Sequence, residues 1–157
     1  MTATQSRQAS RPLLVPMVAA GAAATVLSLA GTYIDTPWKG QGSKEWAVAT
    51  DDGGLAELVV TLGFVAAGLA VVFGVVVTRG LHGPAEVETR RSLALAVTSV
   101  LSVVVFWTGL PVILAIGALV LANDARARLG RTPATAWVAI ALAALTAVAA
   151  VQLALVG

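Results

Sequence analysis

The chain has 157 residues, 58% of them apolar and only 11% charged, with a formal net charge of +2 at pH 7. A soluble domain carries about 25% charged residues, so too few polar side chains are present here to cover a water-exposed fold. The absence of cysteine excludes disulfides, thiolate catalysis, Cys-ligated zinc and iron–sulfur clusters.

The apolar residues fall in runs longer than about 18, the length that spans a bilayer as a helix. Eight of the ten basic residues are arginines, placed between those runs: Arg7 and Arg11, then Arg79, Arg90 and Arg91, then Arg126, Arg128 and Arg131. The pI near 9.7 could suggest nucleic acid. Arginines that flank apolar runs instead read as orientation signals and as contacts to anionic lipid headgroups, so no nucleic-acid partner is expected.

In chain order, residues 1–11 form a basic tail expected on the cytoplasmic side. Leu13–Ile34, 22 residues, would be about 33 Å long as a helix, enough for a hydrocarbon core of roughly 30 Å. Pro12 and Pro16 fall in its first turn, where proline costs little. A cleaved signal sequence is the alternative there, but its apolar region is typically about 7–15 residues, so this segment is expected to remain as span 1. Residues 35–54 form an outer loop that holds both lysines, Lys39 and Lys44, among Asp35, Glu45, Asp51 and Asp52. Its Trp38 and Trp46 suggest a segment lying on the membrane surface or on a partner's outer domain. Leu55–Thr78 is span 2, with Asp51 or Asp52 available as its N-cap.

The next apolar stretch, Ser92–Ala122, is 31 residues long and would run about 46 Å as one helix, well beyond the core thickness. At its middle lies Trp107-Thr108-Gly109-Leu110-Pro111: glycine, then proline at a helix start, with Trp107 suited to a membrane interface. A reversal at Thr108–Pro111 yields two arms, 84–107 and 111–129. Glu86 and Arg90 would pair at i,i+4 in the first arm, while Arg126 and Arg128 would snorkel at the end of the second. The last span is 133–156, with Gly130 ending the preceding helix and Pro133 opening the new one.

The arginines choose the threading. Four spans, with Ser92–Ala122 crossing once, leave five basic residues on each side of the membrane. A hairpin turning at Thr108–Gly109 places eight inside and two outside, as expected for residues that resist translocation. The expected fold is an all-α bundle with five membrane segments in one domain, N-terminus inside and C-terminus outside.

Little chemistry is present. Glu57 is the acid closest to a span core, and a carboxylate at a helix N-terminus is its ordinary role; as a buried group it would be the site of any proton or cation passage. Gln152 is the one amide expected to be buried, bonding a facing helix. Thr25, Ser28 and Thr32 share a helix face, and Gly21 with Thr25, Ala70 with Gly74, and Ala139, Ala143 and Ala147 make small-residue seams for close helix packing. His82 reads as a loop histidine, and Asp51-Asp52 lacks the alternating ligands of a calcium loop. With no nucleophile–base set and no nucleotide-binding loop, neither an enzyme, a cofactor nor a metal site is expected. The candidate partner or lipid contacts are Trp38, Trp46, Trp107, Arg126, Arg128 and Arg131.

The Ala- and Val-rich runs with arginine flanks resemble small membrane proteins of high-GC actinobacteria. Arg91–Val156, with Phe106-Trp107-Thr108-Gly109-Leu110-Pro111 between two apolar arms, then arginines and a last span, is similar in plan to a domain of unknown function common there. The first half, from Tyr33-Ile34-Asp35-Thr36-Pro37-Trp38 through Asp52-Gly53 into the next span, is similar to other uncharacterised small proteins of that group. In size and layout the chain also looks like accessory subunits around actinobacterial respiratory complexes such as the cytochrome bcc–aa3 supercomplex. The resemblance implies a non-catalytic accessory role in a larger membrane complex in the bacterial plasma membrane; the alternative is a small homo-oligomeric transporter or channel using Glu57.

A reporter that is active only in the cytoplasm, fused after Gly157, should be silent. Robust activity would restore the four-span threading.

Overall fold

The computed structural model describes residues 13–39, 46–48 and 54–156. The basic tail at 1–11, Pro12, and the capping aspartates Asp51 and Asp52 lie outside the described residues. Among the described residues five helices are present, α1 (Leu14–Tyr33), α2 (Gly54–Leu81), α3 (Ala85–Thr108), α4 (Leu110–Leu129) and α5 (Ala134–Val156), each long and apolar enough to cross a membrane. The fold is an all-α membrane bundle. A short antiparallel pairing of Ile34–Asp35 with Ala47–Val48 sits after α1.

The bundle is organised around α4. Within its apolar window 56% of residues are buried, against 17–28% in the other four helices, so α4 is the enclosed element. It packs most extensively on α3 and α5, which also pack on each other, while α1 and α2 cover its remaining sides. The enclosing contacts use Ile113, Ala118, Leu121, Ala122 and Ala125 of α4, all fully buried.

The reversal that feeds α4 into this position is a single-residue turn. Gly109 adopts φ 69°, ψ −4°, and Pro111 stands in the first turn of α4. The last seven residues of α3, Ser102–Thr108, tighten into a 3-10 helix with a non-helical kink at Val105 (φ −111°, ψ 40°). Irregular backbone in a bilayer needs internal partners, and here it has them. Gly109 N–H donates to the Phe106 carbonyl at 3.0 Å, the Thr108 hydroxyl donates to the Val105 carbonyl at 2.7 Å, and Leu110 N–H donates to Thr108 Oγ1 at 3.3 Å. The turn presses on α1: a methyl group on Gly109 would lie 2.8 Å from Ala24 Cβ and 3.1 Å from Ser28 Oγ.

Helix α2 runs three residues beyond the expected end at Thr78 and contains a π-helical turn at Val72–Val77. In a π-turn residues five apart fall on one face. Val72 and Val77 thereby both close on Gly117 of α4, where an added Cβ would lie 2.8 Å from Val72 Cγ1 and 3.4 Å from Val77 Cγ2. The Thr78 hydroxyl donates to the Phe73 carbonyl at 2.7 Å across the widened turn.

Polar ties close both ends and the centre. Ser99 Oγ of α3 and Thr146 Oγ1 of α5 are 3.0 Å apart in the buried interior. The Thr36 hydroxyl donates to the Leu155 carbonyl at the end of α5. Lys39 Nζ donates to the Gly31 and Ile34 carbonyls, each at 2.7 Å, satisfying carbonyls that the end of α1 leaves unpaired.

Gly109→Ala is expected to lower stability by roughly 2–3 kcal/mol, combining the cost of a left-handed conformation with the clash on α1. Gly63→Ala, where nothing lies within 4 Å of the added methyl, should be neutral or stabilising by up to about 1 kcal/mol. Thermal unfolding in detergent reads both; equal melting temperatures for the two variants would refute the tight-turn account.

Candidate functional site

Helix α3 presents Glu88, Ser92, Leu95, Ala96 and Ser99 inward, all buried. The 88/92/95/99 positions recur at four- and three-residue steps, which is one face of a helix. Glu88 is thus carried into the bundle by the register that buries Leu95, and it is completely inaccessible. A buried carboxylate is retained only with a partner. That partner comes from the last turn of α4: Arg128 Nη1 lies 3.1 Å from Glu88 Oε2.

Arg128 is also bonded to the connection between α2 and α3. Nη2 donates to the Gly83 carbonyl at 2.8 Å and Nη1 to the Leu81 carbonyl at 3.3 Å. Asp124, one turn back on α4, stands 3.7 Å from Nη1. A guanidinium suits this position because its fork of donors serves a carboxylate and two carbonyls at once, which an ammonium could not do in one plane. A parallel tie runs from Arg91 Nη1 to the Arg79 carbonyl at 2.8 Å. These bonds bring the segments 79–91 and 126–131 to the same end of the bundle, as the hairpin threading requires. They hold three helices in register; the second Glu88 oxygen, Oε1, is buried without a hydrogen-bond partner.

The sequence-derived sites fall elsewhere. Glu57 and Gln152, the candidate buried polar residues, are both exposed on the bundle's outer surface; for Glu57, in the first turn of α2, this agrees with the ordinary role of a carboxylate at a helix N-terminus. The correction has one cause: α2 and α5 turn small and apolar residues inward, Thr61, Val65 and Gly68 from the one and Ala139, Ala143 and Ala150 from the other, leaving the longer polar side chains outside. The expected Glu86–Arg90 pair does not form; both side chains are exposed and the ion pairs among the described residues all involve Arg128. Ser28, of the Thr25/Ser28/Thr32 face, is buried against the hairpin turn with an unpartnered hydroxyl. His82 is exposed and its Nδ1–H donates to the Thr78 carbonyl at 2.7 Å. Trp38 and Trp46 meet edge to face, ring centroids 5.8 Å apart, and each remains about 60% exposed. Trp107 stacks edge to face on Phe106 beside the hairpin turn. Among the described residues no group of three His, Asp or Glu side chains could hold a metal ion.

Comparison of the chain with protein-family models, with curated proteins and with solved structures found no match.

Arg128→Gln leaves Glu88 without its counter-charge and should cost about 2–3 kcal/mol, below the 3–5 kcal/mol of a fully buried pair because the Arg128 side chain keeps 39% exposure. Glu88→Gln should cost less, and adding it to Arg128→Gln should recover part of the loss. Strictly additive melting shifts in this double-mutant cycle would show that the pair contributes no coupling.

Proposed function

We propose that the chain is a non-catalytic accessory or structural subunit of a larger bacterial membrane assembly. In this reading it lies in the plasma membrane with the N-terminus and the arginine-bearing end cytoplasmic. The observation that supports it best is the outward placement of Gln152 on α5. An amide on the outer face of a membrane span finds no hydrogen-bond partner among acyl chains, whereas a neighbouring helix supplies one. The exposed Trp38–Trp46 pair supports the same reading, since clustered aromatics are common anchors at protein interfaces. The layout resemblance makes a respiratory cytochrome assembly the first partner class to test.

A second reading draws on Glu57. Because that carboxylate is exposed on the single chain, it could line a path only where several copies converge, which would make the protein a homo-oligomeric transporter or channel.

Purification of the tagged native protein in mild detergent should recover a partner assembly. Deleting the chain should weaken that assembly while leaving the partner's own chemistry running. A protein that purifies alone as a homo-oligomer, with a solute flux in liposomes that Glu57→Gln abolishes, would overturn the accessory role in favour of transport.

A further inference from the structure

The three arginines after α4 are sorted into two kinds. Arg128 turns back onto Glu88 and the Leu81 and Gly83 carbonyls, and is committed to the fold. Arg126 and Arg131 are exposed, and neither has an acid within ion-pairing distance among the described residues. Both instead line a surface depression of about 320 Å³, together with Asn123, Ala127, Gly130 and Thr132.

The chain builds this depression at a turn. Gly130 ends α4 in the left-handed conformation, φ 62° and ψ 7°, and has open space where a side chain would stand. The two arginines approach from either side of that turn, and Asn123 and Thr132 add an amide and a hydroxyl able to donate to oxygen. The surrounding charge has the same sign: Arg79, Arg90, Arg91, Arg126, Arg128 and Arg131 outnumber Glu86, Glu88 and Asp124 at this end. Two guanidinium groups, an amide and a hydroxyl around an open turn match a tetrahedral oxyanion. Trp137 follows in the first turn of α5 and is 60% exposed; an indole there favours headgroup depth, so the depression opens beside the lipid surface rather than into bulk water.

We propose that this depression, formed by Arg126, Arg131, Asn123 and Thr132 around Gly130, binds a phosphate-type anion, presented by an anionic phospholipid headgroup. The site rests on the membrane fold and not on the accessory role, so the two stand or fall separately.

Native mass spectrometry of the detergent-purified protein, titrated with phosphatidylglycerol or with phosphatidylcholine of the same acyl chains, tests the site. Phosphatidylglycerol should be retained on the native chain and weakened about thirtyfold by the double change Arg126→Gln and Arg131→Gln, the factor expected for two arginines at an anionic surface. Phosphatidylcholine binding should not change. The double change to lysine keeps the charge and loses the guanidinium fork, so phosphatidylglycerol retention should fall between the native and glutamine forms. Competition with inorganic phosphate separates the sources: a headgroup retained against millimolar phosphate assigns the lipid, and arginine-dependent displacement assigns the site to free phosphate. Equal phosphatidylglycerol retention by the native and glutamine forms would overturn the proposal, as would a loss in the lysine form as deep as in the glutamine form.

Discussion

Everything in this bundle follows from enclosing one helix inside four others. α4 can be reached from all sides only if its surface is cut close, and the sequence supplies alanine and glycine where neighbours approach: Ala115, Gly117, Ala118, Ala122 and Ala125 are all buried there. In lipid no hydrophobic force drives helices together, so close van der Waals contact has to hold them. Each special backbone feature serves that contact. The left-handed Gly109 delivers α4 into the centre against α1, and the π-turn of α2 lets Val72 and Val77 close on Gly117 from both sides.

The tightening of α3 has its own local cause. Thr89, Ser92, Ser99 and Ser102 each donate to the carbonyl three residues back, a geometry that competes with the regular i−4 ladder and bends helices. The last of these bonds falls where the α-helix gives way to the 3-10 segment at Ser102. The hydroxyls that make α3 acceptable in lipid thus also shape its approach to the turn. Charge follows a different rule and is confined to the helix ends. There Lys39 satisfies the carbonyls of α1 at one end, and Arg128 satisfies Glu88 and two carbonyls at the other.

The number of helices and the hairpin were legible in the sequence because both rest on strong local chemistry: runs of spanning length, Gly109 and Pro111 at a turn, and arginines that share one side. Which faces point inward was not legible. α1, α2 and α5 are apolar nearly all round, so amphipathic periodicity, the usual guide to the buried face, is faint there. The rule that polar groups in a span point inward then misplaced Gln152, because packing selects for smallness before polarity. Glu88 shows the converse. From the sequence Glu88 had no role, and its neighbour Glu86 was paired with Arg90 on the same helix. Read with Ser92, Leu95 and Ser99, Glu88 belongs to a face of small and apolar residues, and a carboxylate on that face must find its cation on another helix.

The polar groups divide in a way that bears on where the protein acts. Facing inward, Ser99 meets Thr146 between helices and Glu88 meets Arg128 at the end, while Ser28 Oγ and Glu88 Oε1 are buried without a hydrogen-bond partner. Those facing outward have no ion-pair or side-chain hydrogen-bond partner among the described residues: Glu57 on α2, Gln152 on α5, and Arg126 with Arg131 around the α4–α5 turn. The axis of the bundle is occupied by α4, the most enclosed helix. On the perimeter Gln152 and the two arginines at the α4–α5 turn face outward, and the proposed role in association rests on that placement.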